Sequence, residues 1–202
     1  MSAPASPGGT GAAKDAAVTA PALARMAAEG KKIAMLTAYD ATLAAAADRA
    51  GVDVLLVGDS LGMVVQGHPS TLAVSLDDVV YHTRCVAAAR TRALVVADMP
   101  FGTYQGSAEA AYGACAAALK AGAGMVKLEG GTWLAPTVEF LVVRGVPVCG
   151  HVGLLPQSVN ILGGYRVQGK TPDAAEALLA DGRALAGAGG ALLFPGRVPR
   201  GL

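Results

Sequence analysis

Six short apolar runs recur along this sequence, and alanine-rich stretches separate most of them. The runs are five to seven residues long, continuous in apolar character and often β-branched. Runs of this kind are typical of strands that are buried on both faces of a sheet. We therefore predict six strands, over residues 33–37, 52–58, 93–98, 124–129, 146–151 and 190–194.

The stretches between the runs predict helices with recognisable ends. Asp40 is a candidate N-cap for the stretch 40–50, which stops before Gly51. The stretch 76–91 has acidic residues in its first turn and basic residues later, the order that the helix dipole favours. Strands that alternate with helices predict a parallel sheet with right-handed crossovers. The full set of predicted helices is 23–30, 40–50, 76–91, 107–121, 132–144 and 173–187.

Polar residues collect where the predicted strands end. A (β/α)8 barrel carries its active site at the C-terminal ends of its strands, whereas an open sheet gathers its site at one switch point. Polar groups at five strand ends therefore favour an α/β fold of the TIM-barrel type. These residues are Tyr39, Asp40, Asp59, Ser60, Asp98, Lys127, Glu129 and His151.

The predicted barrel is incomplete in this chain. A complete barrel has eight strands in about 250 residues, and this sequence of 202 residues supplies about six of the eight strands. We expect a disordered N-terminal tail over 1–22, an incomplete β/α barrel domain over 23–194 and an irregular tail over 195–202. The glycine-rich stretch LGGYRVQGK (162–170) lacks the frame of a phosphate-binding loop, and we interpret it as an ordinary loop.

Composition excludes several classes of partner. The formal net charge is +1 and aromatic residues make up 4% of the chain, so neither a basic field nor a base-stacking surface favours nucleic acid. No apolar run approaches the roughly 18 residues of a membrane span. Three scattered cysteines without a CxxC pair are typical of buried thiols in a reducing cytoplasm. We expect small molecules and further copies of this chain as partners.

Three of the strand-end residues are carboxylates, which suit a hard cation such as Mg²⁺. Asp59, Asp98 and Glu129 are candidate ligands for an ion that an α-keto acid chelates and that stabilises an enolate. Lys127 lies two residues before Glu129, hence on the same strand face, and is placed to neutralise a substrate carboxylate. An aspartate after a strand is also a common helix cap, and a lone strand-end histidine such as His151 is often structural, so spacing alone leaves both interpretations open.

Several long stretches of the sequence resemble the ketopantoate hydroxymethyltransferase (3-methyl-2-oxobutanoate hydroxymethyltransferase) family. The resemblance runs almost without gaps from about Lys31 to about Gly190, and the blocks VGDSLGM, GHVGLLPQSVN and GGYRVQG are its most specific parts. The matching stretches are MLTAYD (35–40), LLVGDSLGMVVQGHPSTLAVSLDDVVYHT (55–83), VVADMPFGTY (95–104), MVKLEGG (125–131) and VPVCGHVGLLPQSVNILGGYRVQGK (146–170).

The resemblance implies a (β/α)8 barrel of the phosphoenolpyruvate/pyruvate type, assembled as a homo-oligomer that is a decamer in the family. It implies transfer of a hydroxymethyl group from 5,10-methylenetetrahydrofolate to 3-methyl-2-oxobutanoate, the first step of pantothenate biosynthesis. It also implies roles for individual residues. The expected ligands of Mg²⁺ are Asp59, Asp98 and Glu129. The residues expected to contact the ketoacid are Asp59, Ser60, Asp98 and Lys127. His151 is expected to have a supporting polar role.

The sequence departs from the family where the sixth strand ends. The family has its proton-abstracting glutamate there, but this chain has LLFPGRVPRGL (192–202), with Gly196 near that position and no acidic residue after Asp181. A truncated or frame-shifted end is one hypothesis, which sequencing of the locus tests. Three interpretations follow: an active hydroxymethyltransferase, an inactive or weakly active fragment that binds metal, ketoacid or other copies, and another metal–enolate barrel enzyme.

Overall fold

The computed structural model describes residues 16–202, and its centre is a six-stranded parallel sheet. The strands lie side by side in chain order, so every crossover moves one place in the same direction, as in a barrel wall, and the order never reverses. Among the described residues β1 and β6 are the edge strands. The strands are β1 (Met35–Thr37), β2 (Val54–Val57), β3 (Leu94–Asp98), β4 (Met125–Glu129), β5 (Val148–Gly153) and β6 (Leu192–Gly196).

Helices on the outside of the sheet connect the strands. Several begin at the residues that the sequence indicated: the Asp40 carboxylate accepts a hydrogen bond from the backbone N–H of Leu43 at 2.9 Å, and Ser75 forms a capping box with Asp78. The α-helices are α1 (Ala20–Ala28), α2 (Ala41–Arg49), α3 (Leu61–Val64), α4 (Leu76–Ala89), α5 (Ala108–Lys120), α6 (Ala135–Val142), α7 (Val159–Leu162) and α8 (Pro172–Gly187).

The two faces of the sheet have separate apolar cores. Alternate residues of each strand point to the inner, concave side, as the two-residue period of a strand requires. Helix α1 packs against this inner core through Leu23, which is buried among the inward-facing side chains. The other strand residues pack against the outer helices. The inner core contains Val54, Leu56, Leu94, Val96, Met125 and Cys149.

A buried carboxylate fixes the N-terminal end of β3, opposite the end that bears the predicted site. Asp48 of α2 accepts hydrogen bonds from the backbone N–H groups of Thr91, Arg92 and Ala93, at 2.6, 3.2 and 2.6 Å. The Thr91 hydroxyl is a further donor at 2.7 Å. Burial opposes ionisation of Asp48, but these donors outweigh it and lower its pKa to about 2. This contact is structural, since it lies away from the polar strand ends.

Secondary structure extends beyond both predicted bounds of the barrel domain, residues 23 and 194. Helix α1 begins at Ala20, and Val18 before it is buried, so ordered structure starts inside the expected tail over 1–22. The part of that tail over 1–15 lies outside the described residues. Strand β6 continues to Gly196, because its backbone pairs with β5 as far as Gly153, so the irregular tail begins at residue 197. The helices described between residues 16 and 202 are each too short or too polar to span a membrane.

Candidate active site

The predicted site residues converge at the C-terminal edge of the sheet. Asp98 and Lys127 are neighbours across β3 and β4, and Glu129 and His151 are neighbours across β4 and β5. They point to the inner face because they continue the inward-facing rows of the strands below them. Asp59 lies two residues beyond the end of β2, and its backbone N–H donates to Asp98 Oδ2 at 3.4 Å. All five side chains are buried.

Lys127 is an ammonium group enclosed by carboxylates. Its Nζ lies 2.5 Å from Asp98 Oδ1 and 3.7 Å from Glu129 Oε1. Burial disfavours the charge of Lys127, but the carboxylates of Asp98, Glu129 and Asp59 outweigh burial and raise its pKa, so it is charged at neutral pH. Burial raises the pKa of Asp98, and Lys127 opposes that rise. Lys127 therefore balances part of the negative charge of this cluster.

His151 lies against the same oxygen of Glu129 that Lys127 approaches. Its Nδ1 is 3.1 Å from Glu129 Oε1, but the orientation leaves both atoms without a complete hydrogen bond. Burial lowers the pKa of His151 against the influence of Glu129, so the ring is neutral at neutral pH. Burial raises the pKa of Glu129, yet His151 and Lys127 outweigh it and the net pKa is lowered. The Glu129 carboxylate is consequently ionised, with one oxygen that no donor satisfies.

Ser60 is held at the edge of the cluster by a tyrosine that the sequence also singled out. The hydroxyls of Tyr39 and Ser60 are 2.7 Å apart. His82 of α4 lies 2.8 Å, through Nδ1, from the backbone carbonyl of Tyr39, and so fixes the chain where β1 ends. Gly58 leaves room here, since a Cβ at this position would meet Ser60 Oγ at 3.1 Å. Ser60 thus presents a hydroxyl beside Asp59.

Two residues of the site were not identified in the sequence. Gln157 lies in the 3-10 turn Pro156–Ser158 after β5, and Tyr104 follows β3; both side chains are buried. The Tyr104 hydroxyl donates to Gln157 Oε1 at 2.6 Å and accepts from the backbone N–H of Glu129 at 3.0 Å. Neither position carries a charge or a motif of its own. Both residues lie inside stretches that resemble the family, Tyr104 in VVADMPFGTY and Gln157 in GHVGLLPQSVN, and only that resemblance pointed towards them.

The donor set at this edge fits a hard divalent cation. Asp59, Asp98 and Glu129 offer carboxylate oxygens, which Mg²⁺ prefers, and Glu129 Oε1 is a buried oxygen without a hydrogen-bond donor. Between residues 16 and 202, however, no three His, Cys, Asp or Glu side chains stand at metal-ligand spacing. The Lys127 ammonium sits between Asp98 and Glu129 instead. The oxygens suit the ion, and the lysine ammonium is in contact with two of the three carboxylates.

Gly196 ends β6 on the inner face of the sheet, beside His151. A Cβ at this position would collide with His151 Nε2 and come within 2.9 Å of the backbone carbonyl of Leu154. The ring of Phe194, two residues earlier, packs edge-on against His151 at 4.9 Å between centroids. The C-terminal end of β6 therefore has no side chain, and His151 occupies the adjacent space.

Comparison with known proteins identifies similar sequences over nearly the whole chain. The model of a family described as ketopantoate hydroxymethyltransferase matches residues 17–202. The 3-methyl-2-oxobutanoate hydroxymethyltransferase 1 of Burkholderia ambifaria is 60% identical over 183 residues, which are 91% of this chain and 67% of that protein. The 3-methyl-2-oxobutanoate hydroxymethyltransferase of Thiobacillus denitrificans is 60% identical over 185 residues, 92% of this chain and 71% of that protein.

Solved structures with a similar fold are more distant in sequence. Phosphonopyruvate hydrolase in complex with oxalate and Mg²⁺ superposes with a TM-score of 0.65 at 16% identity, over 88% of this chain and 62% of that one. A 2,3-dimethylmalate lyase of the PEP mutase/isocitrate lyase superfamily gives a TM-score of 0.63 at 18% identity, over 89% and 61%. This chain thus spans somewhat more than three fifths of the length of these structures. The predicted α/β fold of the barrel type is confirmed, with six parallel strands in the described residues.

Proposed function

The chain belongs to the ketopantoate hydroxymethyltransferase family, and we propose that its strand-end carboxylates bind Mg²⁺ and 3-methyl-2-oxobutanoate for hydroxymethyl transfer. In that reaction a proton leaves C3 of the ketoacid, and C3 forms a bond to the one-carbon unit of 5,10-methylenetetrahydrofolate. Water supplies the new hydroxyl group, tetrahydrofolate leaves, and the product is 2-dehydropantoate. This is the first step of pantothenate and coenzyme A biosynthesis.

The buried charge cluster carries this proposal. Asp59, Asp98 and Glu129 are the proposed metal ligands, and Mg²⁺, when bound, supplies Lewis-acid polarisation of the ketoacid. Lys127 is charged inside the cluster, so it attracts the carboxylate of an incoming ketoacid. The hydroxyl of Ser60, fixed by Tyr39, is a hydrogen-bond donor for the same substrate.

His151 has a supporting role in this proposal. Its neutral ring stands between Glu129 and Gly196, with Nδ1 on the Glu129 side and Nε2 on the Gly196 side. Contact with Glu129 limits where that carboxylate can turn, because the ring is also packed against Phe194. His151 therefore keeps Glu129 aimed at the centre of the cluster and shields it from water.

A second candidate function is binding of Mg²⁺ and ketoacid with little or no turnover. The observation that favours it is Gly196, which leaves the end of β6 without a carboxylate, so no acidic side chain stands where the family has its general base. Loss of a positioned general base typically lowers a rate by about 10²- to 10⁴-fold. A third candidate, another metal–enolate enzyme of the superfamily, has only the fold likeness of 16–18% identical structures in its favour.

One assay separates the two main candidates. The purified protein is mixed with Mg²⁺, 3-methyl-2-oxobutanoate and 5,10-methylenetetrahydrofolate, and 2-dehydropantoate is measured. In parallel, exchange of the C3 proton in heavy water is followed by NMR. We expect ketoacid binding with product formation at least 100-fold below that of the Burkholderia relative. Turnover equal to that relative contradicts the second candidate, and absence of any ketoacid binding contradicts both.

We further propose a cytoplasmic homo-oligomer, which in this family is a decamer. The family resemblance supports the assembly, and free thiols support a reducing compartment, because Cys115 and Cys149 are buried without a disulfide partner. Light scattering coupled to size-exclusion chromatography measures the assembly directly. A mass equal to that of one chain contradicts the oligomer.

A further inference from the structure

The side chain of Gln157 makes more polar contacts within the candidate site than the side chain of any residue selected from the sequence. Its side chain is buried, and its amide group has four partners. The amide nitrogen donates to Asp59 Oδ2 at 2.9 Å and to the backbone carbonyl of Met99 at 2.9 Å. The amide oxygen accepts from Tyr104 at 2.6 Å and from Gln105 at 3.2 Å. Every hydrogen-bonding direction of this amide is therefore in use.

The chemistry of these partners fixes which end of the amide faces Asp59. A carboxylate and a backbone carbonyl only accept hydrogen bonds, so the group between them is the NH₂ end. The opposite end lies next to the Tyr104 hydroxyl, which already accepts from the backbone N–H of Glu129 and donates its own proton. If the amide were flipped, its oxygen would face two acceptors, the Asp59 carboxylate and the Met99 carbonyl, and the hydrogen bonds to both would be lost.

The backbone of the same residue holds a second carboxylate. The N–H of Gln157 donates to Glu129 Oε2 at 3.0 Å. One residue thus fixes Oδ2 of Asp59 with its side chain and Oε2 of Glu129 with its backbone, although the two carboxylates come from different strands. In each case one oxygen is tied down. The remaining oxygen of Glu129, Oε1, faces Lys127 and His151.

We propose that Gln157 is a positioning residue that presents Asp59 and Glu129 to the divalent cation. This inference rests on the proposed function, because it assumes that these carboxylates bind the metal. Without the amide, Asp59 Oδ2 loses a buried donor, and the carboxylate gains freedom to rotate or to turn towards other donors. Partners that orient ligands in this way typically contribute 10- to 100-fold to metal affinity.

Binding of Mn²⁺ alone tests the proposal, with free Mn²⁺ measured by electron paramagnetic resonance. Gln157→Met keeps the length of the side chain but removes both ends of the amide. Gln157→Asn keeps an amide and the backbone N–H but is one methylene too short to reach Asp59. The matched control is Gln168→Met, because Gln168 lies in the loop between α7 and α8 and its amide nitrogen donates to the exposed carbonyl of Arg166 rather than to a site carboxylate.

We expect both Gln157 variants to bind Mn²⁺ 10- to 100-fold more weakly than the wild type, and the control within twofold of it. Circular dichroism melts accompany each titration, because a merely structural role lowers the melting temperature without changing the metal affinity of the folded protein. Wild-type affinity in a folded Gln157→Met protein, or in Gln157→Asn if the methionine variant does not fold, overturns the inference alone. A wild-type protein that binds no Mn²⁺ overturns the proposed metal site together with it.

Discussion

Replacement of Lys127 by methionine removes the one ammonium group that is enclosed by the site carboxylates. The charges of Lys127 and Glu129 are 3.7 Å apart, which corresponds to about 4.5 kcal/mol of attraction at an effective dielectric constant of about 20. The contact with Asp98 is closer still, at 2.5 Å. Part of this attraction offsets the cost of burying the ammonium, so the net loss is smaller than the sum.

We expect Lys127→Met to lower the free energy of unfolding by about 3–5 kcal/mol without metal, the usual effect of leaving a buried charge without its partner. In a chain of this size that loss corresponds to a fall of about 6–20 °C in melting temperature. Urea denaturation at neutral pH measures the free energy. Lys120→Met, at the exposed end of α5, is the control and is expected to change stability by less than about 0.5 kcal/mol.

A double-mutant cycle with Asp98→Asn separates the ion pair from other effects of the substitutions. Because the two groups touch, we expect a coupling of about 1–3 kcal/mol, so that the double variant is more stable than the sum of the single losses predicts. Added Mn²⁺ should also raise the melting temperature of Lys127→Met more than that of the wild type, since a cation replaces the lost charge. The reasoning is refuted if the losses of unfolding free energy in the two single variants add up to that of the double variant. It is also refuted if Mn²⁺ raises the melting temperatures of Lys127→Met and of the wild type equally.

Three further substitutions test the fold, one at the N-terminal end of β3 and two at the candidate site. The folded-state pKa of Asp48 is about 2, below the unfolded value of about 3.9, so the wild type loses about 2 kcal/mol of stability as the pH falls from about 4 to about 2. Asp48→Asn is expected to remove most of this loss, which thermal melts across that pH range measure. An equal loss of stability in the variant and the wild type over this pH range would contradict the expectation. Gly196→Ala should cost about 1–3 kcal/mol in urea because its methyl group collides with His151, whereas Gly187→Ala in α8 has open space and should gain up to about 1 kcal/mol; equal stabilities would contradict the clash. Tyr104→Phe removes a buried hydroxyl that bonds to the backbone of β4 and should cost about 1–3 kcal/mol by the same method, an effect below about 0.5 kcal/mol being the opposing outcome.

The strands were predictable because burial on both faces leaves an unbroken apolar run. All six observed strands overlap the predicted runs, from Met35–Thr37 to Leu192–Gly196. The ends were less predictable, since strands β5 and β6 continue through glycine and proline for as long as the neighbouring backbone offers hydrogen bonds. The predicted helix over 132–144 is likewise divided into a 3-10 turn, Thr132–Leu134, and helix α6.

The sequence predicted which charged residues lie in the site, but it predicted only part of the contacts between them. Carboxylates at strand ends converge because the C-terminal ends of parallel strands share one edge, so Asp98 and Glu129 follow from the fold. The sequence did not indicate that Lys127 would be paired with Asp98. The bond from Gln157 to Asp59 joins residues 98 positions apart and depends on the path of a short turn, so no local pattern encodes it.

Isothermal titration with Mg²⁺ and 3-methyl-2-oxobutanoate tests the proposed site most directly. Each ligand is titrated alone and then in the presence of the other, with the wild type and with Asp98→Asn. We predict that Mg²⁺ strengthens ketoacid binding at least tenfold in the wild type and that the variant loses this coupling. Equal ketoacid affinity with and without Mg²⁺, or the same coupling in Asp98→Asn, would contradict a metal site built from the strand-end carboxylates.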